Sequence, residues 1–124
     1  MSDSTLNFYQ RPDDIYVIEV QDTSSKTVRD WEAAMIAQQD TLTAPVKRIY
    51  DLRQLKGVSV FAVRTAVKLK SRHNAQFVYA AVLTNNRTVT HLVNTAMVIQ
   101  PGGNFQVFTD EDEAIAWLHE KVPN

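Results

Sequence analysis

The chain has 124 residues, no cysteine and a formal net charge of −1, with 44% apolar and 22% charged residues. That length suits one domain with a sizeable core, and the composition is ordinary for a globular protein. The missing cysteines exclude disulfides, thiolate metal sites and a cysteine nucleophile. The near-neutral charge gives no global pull toward nucleic acid or anionic membrane.

In chain order, Leu6 to Gln10 and Ile15 to Gln21 flank Arg11-Pro12-Asp13-Asp14, a turn signal, and predict a β-hairpin. "IYVIEV" is dense in β-branched and aromatic residues, as a central strand should be. From Thr27 to about Thr41 the period becomes helical, with Val28, Trp31, Met35 and Leu42 on one face. Pro45 closes that segment, and "VKRIYDL" predicts a strand whose apolar members are Val46, Ile49, Tyr50 and Leu52. A short loop with Gly57 leads to a predicted helix over Val60 to His73, capped by Ser59. "FVYAAVLT" predicts a buried strand, and Arg87 to Gln100 a helix with Val89, Leu92, Val93, Ala96 and Met97 inward. Pro101-Gly102-Gly103-Asn104 stops that helix. "FQVFT" is the last predicted strand. Thr109 is the expected cap of a final helix whose first turn carries Asp110, Glu111, Asp112 and Glu113, with Ala114, Ile115, Leu118 and Val122 as its inner stripe.

The expected fold is a single α/β domain over residues 1–124, ordered β-β-α-β-α-β-α-β-α. Alternating strands and helices predict a mixed, mostly parallel five-stranded sheet with helices packed on it. The hairpin makes the first strand its antiparallel edge. The start, MSDSTLNFYQRPDD, lacks a basic-then-apolar signal pattern, and no apolar run approaches the roughly 20 residues of a bilayer span. The expected compartment is the cytoplasm.

Chemistry-bearing motifs are sparse. His73, His91 and His119 have no partner at zinc-ligand spacing, so no metal is expected. His73 and His119 suit helix C-termini. His91 follows Asn85, Asn86, Arg87, Thr88 and Thr90 at the strand edge where open α/β sheets place ligands, although a turn at Asn85 and Asn86 with Thr88 as a local cap is the simpler explanation of the group. No Gly-rich phosphate loop and no Gly-x-Ser-x-Gly elbow is present. The acidic run fits a helix dipole and a solvated face.

One constellation stands out. Arg64, Lys68 and Arg72 recur every four residues and share a helix face. Val60, Val63, Ala66, Val67 and Leu69 fall on the opposite half and are expected to face the sheet, whereas Phe61 falls on the basic side. With Arg53 and Lys56 from the loop, this face could meet an acidic partner or an anionic ligand.

The element order, "KRIYDLRQLKGVSVFAVRTAVKL" and the ending "FQVFTDEDEAIAWLHE" resemble the SpoIIAA-like group of the STAS superfamily over nearly the whole chain. The resemblance implies a non-enzymatic module that uses no cofactor and binds a protein partner through the junction loop and the following helix. It also implies a phosphoserine switch at that helix start, in a pattern like Asp-Leu-Ser-x-Val-x-x-Ile-Asp-Ser-Ser-Gly-Leu. Asp51, Leu52, Leu55 and Val58 match the strand and loop positions. The switch does not match: Ser59 stands where the pattern has Asp, Val60 and Phe61 where it has the serines, Ala62 at Gly and Val63 at Leu. The expected partner-binding residues are Arg53, Lys56, Ser59, Phe61, Arg64 and Lys68.

The group is also similar to CRAL-TRIO lipid carriers, which implies a cavity for a small apolar ligand. Its candidate lining is Trp31, Met35, Phe77, Tyr79, Met97 and Trp117. A third reading is an enzyme using His91 with Asp51, for which no nucleophile–base pair is visible. No nucleic-acid motif is present, so no nucleic-acid partner is expected.

Overall fold

The computed structural model describes residues 6–72, 74–99 and 104–123, without the side chains of Lys70 and residues 96–99. His73 and the Pro101-Gly102-Gly103 stop therefore lie outside the described residues, as does the side chain of Met97. The strands are β1 (Asn7–Gln10), β2 (Ile15–Glu19), β3 (Val46–Asp51), β4 (Val78–Leu83) and β5 (Phe105–Phe108). The helices are α1 (Ser25–Gln39), α2 (Val60–Lys70), α3 (Arg87–Ile99) and α4 (Glu111–Lys121), with a short 3-10 turn at Ala75–Phe77.

The sheet order is β1-β2-β3-β4-β5. β1 pairs antiparallel with β2, and β2 to β5 pair parallel. The hairpin closes with the Arg11 amide donating to the Ile15 carbonyl at 2.8 Å. Asp14 takes φ 67° there, the left-handed position that short Asp side chains tolerate. Each parallel strand is added on the same side of the last, so right-handed crossovers must lay their helices on one face. α1, α2 and α3 pack together on that face, around Ile18, Tyr50, Val78, Val82 and Val89. α4 follows the last strand and covers the other face alone, with Ala114 and Leu118 against Ile15, Val17, Ile49, Ala81 and Leu83.

Local chemistry sets the helix boundaries. The Ser24 hydroxyl caps α1, accepting from the Thr27 amide at 3.3 Å. Ser59 caps α2 in the same way, accepting from the Ala62 amide at 3.1 Å. α3 is capped by Asn86, whose Oδ1 accepts from the Val89 amide at 3.0 Å, rather than by Thr88. The cap of α4 is Asp110, not Thr109: its carboxylate accepts from the Asp112 amide at 2.8 Å, where charge adds to the hydrogen bond.

The orientation of α2 also departs from expectation. Ala62, Thr65 and Leu69 form its buried stripe, while Val60 is 67% exposed. Val60 lies on the side of the helix opposite that stripe. Thr65 is accommodated because its hydroxyl donates to the Phe61 carbonyl at 2.8 Å.

Candidate functional site: the junction after β3 and the cavity beneath α2

The β3–α2 junction is tied down at each step. Asp51 ends β3 and accepts from Arg53 three times: from its backbone amide at 3.1 Å, Nε at 2.9 Å and Nη2 at 2.7 Å. Burial pushes the Asp51 carboxyl pKa up, but these bonds outweigh it and hold it below the ordinary value. Arg53 also reaches Glu111 of α4 at 3.0 Å. Leu55 is buried. The Lys56 carbonyl accepts from Asn86 Nδ2 at 3.4 Å. The Ser59 amide donates to Thr23 Oγ1 at 3.2 Å, and the Ser59 hydroxyl donates to the Thr23 carbonyl at 3.3 Å. Ser59 is thus both a helix cap and a clamp on the β2–α1 loop.

Beyond this clamp Val60 and Phe61, 67% and 39% exposed, stand side by side on the first turn of α2. Lys56 and Arg64 are exposed beside them and form no ion pair among the described residues. The six expected partner-binding residues therefore divide. Lys56, Ser59, Phe61 and Arg64 gather at one end of α2. Arg53 is turned onto Asp51 and Glu111, and Lys68 pairs with Glu32 of α1 at 3.3 Å. Arg72, farther along the basic face, pairs with Asp40 at 3.2 Å. Much of the basic stripe seen in the sequence is the seam between α1 and α2.

Beneath α2 lies a cavity of about 420 Å³, within the usual size range of small-molecule sites. Val20, Leu52, Leu55 and Val58 line it at the carboxyl ends of the parallel strands. α2 contributes Ala62, Val63, Ala66 and Leu69, and α3 contributes Leu92 and Val93. The small Ala62 and Ala66 leave space that larger residues would fill. The far end is more polar: Gln39, Arg48, Arg72, Gln76 and Asn104 lie there, toward the strand starts.

Of the six candidate lining residues, Trp31 lines this cavity, beside Tyr50 in edge-to-face contact at 5.8 Å. Met35 is fully buried in the same core and receives the Tyr50 hydroxyl on its Sδ at 3.7 Å, but lies behind the cavity wall. Phe77 sits in the 3-10 turn outside the lining. Tyr79 and Trp117 belong to the opposite face: strand alternation sends Tyr79 toward α4, and Trp117 packs on Phe108 at 5.7 Å. Phe105, absent from the candidates, lines the cavity and stacks on Tyr50 at 6.3 Å.

Two buried cations escaped the sequence reading, although both stand in "VKRIYDL". Lys47 and Arg48 are consecutive in a central parallel strand, where both faces are covered. Lys47 points to α4 and donates to His119 Nδ1 at 3.1 Å. That leaves His119 Nε2 as the donor to Asp13, at 3.1 Å. The Asp13 pKa is pushed up by burial, yet bonds from Arg11 and His119 bring it below its ordinary value. Arg48 points to the cavity side. Paired strangers to the apolar pattern of a central strand are the signal that marks this position.

His91 is exposed on α3 with no side-chain partner among the described residues. Among the described residues, no group of three or more His, Asp or Glu side chains could hold a metal ion, and no helix is long and apolar enough to cross a membrane.

Comparison with known proteins agrees with this architecture. A protein of Thermotoga maritima described as a proposed anti-sigma factor antagonist superposes with a TM-score of 0.71 at 9% identity, over 92% of this chain and 94% of that one. An uncharacterised Shewanella loihica protein with a SpoIIAA-like fold superposes with a TM-score of 0.66 at 19% identity, over 92% of both chains. No curated protein matches the sequence. The SpoIIAA-like family model matches residues 15–119, from the first residue of β2 into the last turn of α4. The chain belongs to the SpoIIAA-like family.

Proposed function

We propose that this chain is a non-enzymatic regulatory module that docks a protein partner on the amino-terminal end of α2. The observation that carries the reading is the exposure of Val60 and Phe61 there. They are two of the four large hydrophobic side chains exposed among the described residues, and they adjoin the unpaired Lys56 and Arg64. An apolar centre with a cationic rim suits a partner that presents an apolar residue flanked by acids. The Thermotoga neighbour is described as opposing an anti-sigma factor, and by extension a protein partner is the reading adopted for this chain.

A phosphoserine switch has no support at this helix start. Val60 and Phe61 carry no hydroxyl, and the Ser59 hydroxyl is committed to Ala62 and Thr23. Regulation through this surface would therefore run on something other than that switch. The test is affinity capture from host lysate with the wild type, Phe61→Ala and Arg64→Glu in parallel. A partner retained by the wild type and lost by both variants supports the reading. Identical capture by all three counts against it.

A second reading is favoured by the cavity: the module carries or senses a small ligand with a large apolar part. The walls contributed by Val20, Leu55, Val63, Leu69 and Val93 support it. Native mass spectrometry after incubation with medium-chain lipids tests this. A bound mass lost on Ala66→Leu supports it, and an unchanged apo mass throughout removes it.

A further inference from the structure

Arg48 is 1% exposed, lines the cavity, and forms no ion pair among the described residues. Its hydrogen-bond acceptors are all neutral. Nε donates to Gln38 Oε1 at 2.7 Å, Nη1 to the Tyr50 hydroxyl at 3.0 Å and to Gln39 Oε1 at 3.5 Å, and Nη2 to the Met35 carbonyl at 3.5 Å. A guanidinium has five N–H groups and keeps its charge throughout the accessible pH range. Burying such a charge without a counter-ion is costly, and a nearby anion offsets that cost.

A second observation points the same way. Among the described residues, Trp31 Nε1 is buried without a hydrogen-bond partner, and so is Gln38 Nε2. Trp31 lines the cavity, and Gln38 holds Arg48 through its other amide atom. Both orphans are donors. The Tyr50 hydroxyl, which accepts from Arg48, spends its own hydrogen on the weak thioether acceptor of Met35. Trp31 of the wall thus keeps a spare donor, and Gln38 behind it a second, on the side of the uncompensated Arg48 charge, a set that selects acceptor oxygens of an anion over a neutral or cationic head group.

We propose that the cavity binds a single-tailed amphipathic anion, with its carboxylate or phosphate oxygens at Arg48 and Trp31 and its tail toward Leu52, Leu55 and Val58. The inference rests on the ligand-carrying reading and adds the sign and place of the head group. Arg72 and Gln76 are exposed where the cavity reaches the strand starts, so the polar end is also the mouth. Arg72 stands there with its charge matched by Asp40, which leaves Arg48 as the cation that the ligand would neutralise.

The test is calorimetric titration of the full chain with decanoate, decyl phosphate, decanol and decyltrimethylammonium. The expected result is binding of one or both anions at least tenfold tighter than decanol, with the cation weakest. Arg48→Met should erase that preference while leaving decanol affinity within about twofold, and Trp31→Phe should weaken the anions severalfold. Decanol or the cation binding as tightly as both anions overturns the anion assignment and leaves the cavity reading standing. No binding by any of the four overturns both. Should Arg48→Met fail to fold by circular dichroism, the wild-type ranking and Trp31→Phe decide the matter.

Discussion

The two faces of the sheet are covered differently. One helix, α4, closes its face with Ala114 and Leu118 against Ile15, Val17, Ile49, Ala81 and Leu83. Its cation, Lys47, is answered by His119, and His119 by Asp13. Three helices cover the other face, yet a cavity of about 420 Å³ remains beneath them. Its cation, Arg48, meets neutral groups. The three-helix face is the looser of the two, and Ala62 and Ala66 of α2 border its open space. The contrast separates a face built for stability from one that keeps space and spare donors.

The largest expected effect comes from damaging the closed face. Leu118→Ala should cost about 2–5 kcal/mol of unfolding free energy, the range for a fully buried leucine. Urea denaturation checks this, and a cost under about 1 kcal/mol would say that this face is not close-packed.

Adding volume sharpens the comparison further. Ala114→Leu should destabilise by about 1–3 kcal/mol, as overpacking does in a full core. Ala66→Leu should be neutral or stabilising, because it grows into the cavity. Equal costs at both positions would mean that the cavity collapses in solution.

The rim of the closed face sets an acid limit. Asp13 and Asp51 both have pKa values held below the ordinary 3.8. A depressed carboxylate contributes stability that is present above its unfolded pKa and is lost as pH falls through the folded one. Stability should therefore be flat from about pH 6 to 5 and fall below about pH 4. Asp51→Asn should be less stable near neutrality and lose less on acidification. An acid profile unchanged from the wild type would detach Asp51 from this effect.

The smallest effect on stability should come from the open face's outer end. Phe61→Ala should change unfolding free energy by less than about 0.5 kcal/mol, as exposed positions do. Its consequence should appear in partner capture instead. A large loss of stability would recast Phe61 as a packing residue.

The sequence made the element order readable because periods of two and 3.6 alternate cleanly, and the Pro-Asp-Asp turn exposed the antiparallel edge. Ser59 was legible as a cap because capping depends on neighbours three residues apart. Asp110 displaced Thr109 because two adjacent residues could each cap, and spacing alone does not choose between them. The cavity was less legible: its size depends on how three helices sit over the sheet, and candidates chosen for being large and soft included Tyr79 and Trp117, which strand alternation and α4 place on the other face. The Lys47–His119–Asp13 chain joins residues 72 and 106 positions apart, beyond any local pattern. Arg48 was visible, as a cation in the middle of a central strand, but its isolation from carboxylates is a property of the folded core.

The most direct test of the contrast between the two faces is methyl NMR of the full chain during titration with decanoate. Val20, Leu55, Val63, Leu69 and Val93 should shift together and saturate, while Ile15, Ile49 and Leu118 hold still. Shifts spread equally over both sets, or none in either, would contradict the assignment of the three-helix face as the ligand-accepting side of the molecule.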